Sequence, residues 1–523
     1  MDQAHNQGLR KRIIVNTASN YGKMLIGIFV TIFLTRILFL GLSREEYGFW
    51  ALLWSIFGYS LLLDFGFGTA VQKHTSECSI TGDWEKYNRI VSTVFFNYLA
   101  FAVLIMLFAI ALSFRIGDIF EISSGNLSYF RSILVLFGIG SALCFPFGFF
   151  TEILRGLQKM HTRNIIQVCY IVLNFIGMAL MIHLKLNLWG MVFVALGTNL
   201  ASSLTMMVIA HKYIPTFHLS LRHYDRELLG SVMGFSLYAY LITFTNIIIH
   251  KTDQLVISIF GSVAMVAVYQ IPIRLTDTFK QFSSQFLDNL GPVSAALFAA
   301  GDRSRMKEVM LQSNRLMGII SSMLLVPVLI YVKPLLHLWL NLDHVAGTIC
   351  AVILLLSMYI LLFFRSSSVA VLLMADEHKV LAMVAAIEAI ANLVLSVVLM
   401  HLIPRMIAFQ SIPDAALIGV AIGTLIPNLL LAFIFNVPKA CRFAGISVKS
   451  YFGEVVNRTL VVTILSLAFA FILYALQYPS SLLLVLAYGA LSVIVFLLLT
   501  FFIGLHPQER CQLLGLIKGT HSL

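Results

Sequence analysis

The sequence predicts an all-α polytopic membrane protein with about 14 transmembrane helices, arranged as two six-helix bundles followed by a C-terminal helix pair. Three observations carry this. Of 523 residues, 59% are hydrophobic and only 11% charged, whereas ordinary soluble domains carry about 25% charged residues; the mean hydropathy is +0.91. Apolar runs of roughly 20 residues, the length that crosses the hydrocarbon core, recur along almost the whole chain. The longest loops, 71–88, 211–228, 298–315 and 438–455, are too short for a catalytic domain outside the membrane.

The spans fall near 14–39, 47–70, 90–113, 130–154, 164–184, 188–210, 229–250, 256–290, 316–335, 347–374, 379–401, 415–437, 456–476 and 481–505. Arg10, Lys11 and Arg12 before the first run look like the start of a signal peptide. The run continues from Ile13 to Leu40, too long for a cleaved segment, so it is read as a retained helix. An even count puts both termini on one side. With that side cytoplasmic, the outer segments hold only Arg44, Arg115, Arg131, Lys185, Lys251, Lys333 and Arg405, and the inner ones most other Lys and Arg. The excess of 35 Lys and Arg over 24 Asp and Glu, a net +11, therefore reports topology by the positive-inside rule, not a nucleic-acid partner.

The charged stretch 211–228 reads as a cytoplasmic connector between an N-terminal bundle, 1–210, and a second bundle, 229–440; residues 441–523 add a helix pair and a cytoplasmic tail. Residues 34–57 and 252–275 share the order charged residue, apolar run, Gly and Tyr, which suggests an internal repeat. Six scattered cysteines without a CxxC pattern read as packing thiols. No paired His ligands, nucleophile elbow, P-loop or carboxylate dyad is present, so neither a metal nor covalent chemistry is expected and the chain is read as a non-enzyme.

Charged groups at mid-bilayer cost about 2.5–3.5 kcal/mol each on insertion scales and normally face a protein interior or a wet cavity. In the eighth span Gln270, Arg274, Asp277, Gln281, Ser284, Gln285 and Asp288 share an arc of about 100° at helical spacing, with Lys280 at its edge. They line a wet path or glue helices together. In the first span Asn16, Asn20, Lys23 and Gly27 share a face, either lining a cavity or letting Lys23 snorkel, and Arg36 lies near the outer end. Arg365 and Glu388 form a structural pair, or Glu388 titrates during transport. Asp64 and Asp253, near helix ends, are caps or hinges, or touch a ligand.

The run LTRILFLGLSREEYGFWALLWSIFGYSLLLDFGFGTAVQKHTSE, residues 34–77, resembles the start of bacterial O-antigen and exopolysaccharide flippases of the Wzx type, in the multidrug/oligosaccharidyl-lipid/polysaccharide (MOP) exporter superfamily. Arg36, Gly41, Tyr47, Gly48, Asp64, Gly66 and Gly68 match its recurring residues. TEILRGLQKMHTRN (151–164) and NIIIHKTDQLVI (246–257) are similar to it as well.

The resemblance implies two bundles around a central cavity in a bacterial inner-membrane protein with both termini cytoplasmic. Its task would be to turn a polyprenyl-pyrophosphate-linked oligosaccharide over to the periplasmic leaflet for cell-surface polysaccharide synthesis. Partners would be the lipid-linked substrate, membrane lipids and the polysaccharide polymerase and chain-length machinery, with the protein itself monomeric. Arg274 and Lys23 would meet phosphate, with Arg36 and Lys280 as further cations; Asn20, Gln270 and Gln281 would meet sugar hydroxyls. Asp64, Asp253, Asp277, Asp288, Arg365 and Glu388 are the coupling or gating candidates. No cofactor is expected beyond H+ or Na+ as a coupling ion. Competing readings are a cation-coupled drug exporter, a membrane polymerase or ligase, and a scaffold.

Overall fold

The computed structural model describes residues 2–122, 124–225, 251–287, 303–366 and 378–505, together with 244–245, 247–249, 368–369, 372 and 510. Helices follow in the order α1 (Asp2–Gly41), α2 (Arg44–Gly58), α3 (Phe67–Thr81), α4 (Trp84–Ile119), α5 (Leu127–Cys144), α6 (Phe150–Gly156), α7 (Met160–His183) and α8 (Asn187–Tyr213). After residue 251 come α9 (Val263–Leu287), α10 (Arg303–Leu340), α11 (Val345–Ile360), α12 (His378–Leu402), α13 (Ala416–Leu431), α14 (Val437–Phe443), α15 (Val448–Tyr451), α16 (Asn457–Leu476) and α17 (Leu482–Leu499). No strand occurs among the described residues. Among them 11 helices are long and apolar enough to cross a membrane, or 12 if Arg44–Asp64 and Phe67–Thr81, bent by 47°, form one span. That agrees roughly with the expected count, since the 229–250 span falls mostly outside the described residues.

The expected eighth span is corrected. Residues 251–260 are helical, the chain breaks at Gly261 and Ser262, and α9 starts afresh. Ser262 Oγ accepts from the Met265 N–H at 3.2 Å, capping the new helix. The break between α1 and α2 is built alike: it follows Gly41, and Ser43 closes a capping box in which its Oγ accepts from Glu46 N–H at 3.2 Å and its own N–H donates to Glu46 Oε2 at 3.1 Å. The two segments matched as a repeat thus turn at the same Gly and Ser. The chain meets itself there, because a Cβ on Gly48 would collide with the Val263 carbonyl.

The contacts divide the chain into two compact units, Met1–Ala267 and Val268–Leu523. The first unit breaks its helices with tight turns: a 3-10 turn at Tyr59–Asp64 runs into left-handed Phe65 and Gly66, φ 46° and 81°, and Phe145–Phe147 follows α5. Its core is aromatic, with Phe67, Tyr87, Tyr98, Phe149, Phe150 and Phe217 all buried. Phe217 belongs to a strap, residues 214–225, laid along α4. Asn88 holds the strap on both sides, donating to Thr216 O at 2.9 Å and accepting from His218 N–H at 3.1 Å. Ser92 accepts from Ser220 N–H, Thr93 from Asp225 N–H, and Arg89 pairs with Asp225 at 2.6 Å. Residues 88, 89, 92 and 93 lie on one face at helical spacing, so the expected connector begins as a docked segment.

The second unit breaks its helices with π turns, at Leu361–Arg365, Ala432–Asn436, Phe452–Val456 and Thr500–Gly504. Within lipid the hydrophobic effect does not drive one helix onto another, and small residues set how closely backbones approach. Gly419 and Gly423 meet this need on α13: both face the α12 backbone, and a Cβ on Gly423 would lie 2.6 Å from Ser396. α16 and α17 pack on α10 around buried Val326, Tyr331, Val462 and Phe496, and Tyr331 Oη donates to Ala470 O at 3.1 Å.

Candidate functional site

A polar cluster in the first unit lies where α1, α6 and α7 meet. α1 brings Asn16, Ser19, Asn20 and Lys23 on one face, as its spacing predicts, and α7 opposes them with Arg163, Asn164 and Gln167. Lys23 Nζ donates to Gln167 Oε1 at 3.0 Å, so this lysine is engaged across the helix pair. Asn164, buried, donates to Ser19 Oγ at 2.9 Å and Asn20 Oδ1 at 2.6 Å, while Asn16 Oδ1 accepts from the His161 N–H at 3.2 Å. From α6, Arg155 pairs with Glu152 at 2.9 Å. Arg155 and Arg163 lie within electrostatic range of Lys23.

Three cations, Lys23, Arg155 and Arg163, therefore gather near two carboxylates, Glu152 and the neighbouring Asp64, and both carboxylates are already bonded. Arg163 makes no side-chain hydrogen bond or ion pair with any described residue, and the Nε atoms of Arg155 and Arg163 and Asn164 Oδ1 are buried with no hydrogen-bond partner. A buried donor without a partner costs about 1–3 kcal/mol, more if charged. Such a cage is chemically complementary to an anion, and guanidinium forks suit phosphate oxygens best.

Asp64 borders this region as a cap. It accepts from Gly68 N–H at 3.1 Å and from Tyr98 Oη, fixing the left-handed corner at Phe65 and Gly66. Gly68 brings it close to Glu152: a Cβ there would touch both side chains at 3.4 Å. Asp253 is buried in residues 251–260, which are anchored to α2 through Ser55 Oγ to Lys251 O at 2.7 Å and through Tyr59 with Thr252 at 2.9 Å. Arg36 is half-buried on α1.

On α9 the polar arc divides by environment. Gln270 is buried, Arg274 and Lys280 are half-buried, and Asp277 and Gln281 are exposed. Asp288 lies outside the described residues.

In the second unit Arg365 and Glu388 meet as a bidentate pair, Nη1 to Oε1 at 2.5 Å and Nη2 to Oε2 at 2.6 Å. Asn428 Oδ1 accepts a third bond from Nη1 at 2.6 Å, and Asn428 Nδ2 donates to Ser357 O, also at 2.6 Å. Glu388 is 5% exposed. The cluster ties α11, its π turn, α12 and α13 into one charge-neutral knot. Asn392 adds a bond to Thr424 one turn on, at 3.0 Å.

Sequence reasoning missed Arg155, Arg163, Asn164, Gln167 and Asn428 as members of these clusters. The i, i+3 and i+4 spacing of 163, 164 and 167 at the start of an apolar run was the available signal.

With the geometry in place, the comparisons with known proteins become informative. The family described as "Polysaccharide biosynthesis protein" matches residues 33–342, more than half of the chain. The chain belongs to this family. The segments read as flippase-like, 34–77, 151–164 and 246–257, all lie within the match. Among solved structures, the lipid II flippase MurJ in an inward closed conformation has a TM-score of 0.64 at 13% identity, covering 93% of this chain and 98% of that one. An inward-facing multidrug resistance MATE transporter has a TM-score of 0.62 at 14% identity, with 81% and 96% covered. A MOP superfamily transporter from Pyrococcus furiosus has a TM-score of 0.58 at 14% identity, with 84% and 97% covered. This polysaccharide biosynthesis protein thus has the MOP superfamily fold. No curated protein matches it by sequence.

Proposed function

We propose that the protein is a flippase that moves a polyprenyl-pyrophosphate-linked oligosaccharide from the cytoplasmic to the periplasmic leaflet of a bacterial inner membrane by alternating access. The observation that carries this reading is the net-cationic cage of Lys23, Arg155 and Arg163 on membrane-embedded helices, in a chain of a polysaccharide biosynthesis family. The fold shared with a lipid II flippase supports it.

A sugar headgroup crossing hydrocarbon unaided leaves each hydroxyl without a partner, at about 4–8 kcal/mol per group on a water-to-cyclohexane scale, and its pyrophosphate is charged besides. A protein that carries it must offer amides for the hydroxyls and fixed cations for the phosphates. Arg163 and Lys23 are assigned to the pyrophosphate, and Asn20 and Gln167 to hydroxyls. Arg274 and Lys280, with Gln270 and Gln281, supply the same chemistry on α9. Coupling to H+ or Na+ through Glu388 or Asp64 would require Arg365 or Tyr98 to release the carboxylate it holds, which makes both gating candidates.

The test is translocation in proteoliposomes loaded with a polyprenyl-pyrophosphate oligosaccharide. Wild-type protein is expected to expose the sugar to a membrane-impermeant lectin, and Arg163→Gln with Lys23→Gln to abolish this. Translocation undiminished in the double variant would overturn the phosphate assignment. Dye efflux without lipid translocation would favour the drug-exporter reading that the MATE-like fold leaves open.

A further inference from the structure

A second charged feature lies in the other unit and has no part in the proposed transport. The span Ala416–Phe443 passes through the π turn Ala432–Asn436 into α14. Along its final two turns runs a cavity of about 640 Å³ lined by Ile434, Phe435, Pro438, Lys439, Arg442 and Phe443. These positions form two adjacent columns at helical spacing, so the cavity follows one helix as it leaves the apolar part of the fold.

The lining changes character along its length. Ile434 is 72% exposed and, with exposed Leu429 and Leu430, presents an aliphatic surface within the candidate span Ala416–Phe443. Roughly 12 Å further along the axis, eight residues at 1.5 Å each, Arg442 is exposed, and its guanidinium makes no hydrogen bond or ion pair with any described residue. Between them the Lys439 ammonium lies over the Phe435 ring, 5.4 Å from its centre, which holds the cation at the rim of the cavity. A ligand complementary to this lining has a hydrocarbon portion below and a negative charge above.

We propose that this cavity is a binding site for an anionic phospholipid. Its phosphate sits between Lys439 and Arg442, and the first methylenes of its chains lie on Ile434, Phe435 and Phe443. The inner position expected for residues 438–455 puts the site in the cytoplasmic leaflet, whose lipids carry net negative charge and attract basic residues at the membrane surface.

The experiment uses full-length protein in a neutral detergent, with bound lipid counted by native mass spectrometry and Tm followed during titration. Phosphatidylglycerol is expected to bind at one saturable site and raise Tm. The variant Lys439→Gln with Arg442→Gln should need about tenfold more lipid or higher, the weakening expected on losing two interfacial cations. Both side chains lie outside the core, so the variant should keep its lipid-free Tm. Arg442→Lys with Lys439 intact should retain most of the binding. Equal binding by wild type and double variant, an equal Tm shift from phosphatidylcholine, or the same shift from inorganic phosphate alone would each overturn the assignment. None of these readouts depends on oligosaccharide transport, so the site and the flippase reading fail separately.

Discussion

The cluster at α1, α6 and α7 and the knot at Arg365 draw on the same residue types yet are finished differently. In the first, three cations gather near two carboxylates that are already bonded, and Arg163 has no partner among the described residues. In the second, Arg365 is gripped by both oxygens of Glu388 and by Asn428 and no net charge remains, although its Nε, like those of Arg155 and Arg163, is buried with no partner among the described residues. A charge-neutral network fixes helices in place; a net-cationic one has work left for a ligand. Charged side chains inside a membrane protein are therefore informative through what they lack as much as through what they touch.

The sharpest way to break this contrast is to cut the knot. Glu388→Ala leaves the Arg365 guanidinium buried without its counter-charge and is expected to destabilise the protein by about 3–5 kcal/mol, read as a large fall in Tm of the purified protein. Arg365→Met combined with Glu388→Leu should recover most of that loss, because an apolar pair of similar volume removes both charges together. Next comes Gly423→Leu, which forces α13 off the α12 backbone and should cost about 1–3 kcal/mol as overpacking. Asn88→Ala releases both bonds to the strap along α4; about 1–2 kcal/mol is expected, and limited proteolysis should then cut within residues 214–225 faster than in wild type. Arg163→Gln is expected not to destabilise and to be neutral or slightly stabilising, because it removes a partly buried cation that holds nothing together. A Tm loss at Arg163 as large as at Glu388 would erase the distinction between the two clusters.

Much of this was legible in the sequence, and what was hidden has identifiable causes. Span length and hydropathy located most helices, and mid-span Arg365 and Glu388 pointed to each other because neither is tolerable alone in lipid. The face of Asn16, Asn20 and Lys23 followed from helical spacing. The break at Gly261 and Ser262 escaped notice because two small residues barely lower the mean hydropathy of a long apolar window. Arg155 and Arg163 looked like loop charges that set topology. Only the tight turn after α6, where Gln158 adopts a positive φ of 57°, brings α7 back against α1 with Arg163 in its first turn, a tertiary consequence that a charge census does not contain. The same holds for Asn428, whose role depends on α13 lying against α11.

The most direct test of the central claim is equilibrium binding of a polyprenyl-pyrophosphate-linked oligosaccharide to purified wild-type protein, Arg163→Gln and Arg163→Lys. If the α1, α6 and α7 cage receives the pyrophosphate, Arg163→Gln should weaken binding by about tenfold or more, the effect of losing a charge-assisted contact, with Arg163→Lys between it and wild type and no fall in Tm in either variant. Identical affinities for all three proteins would contradict the claim.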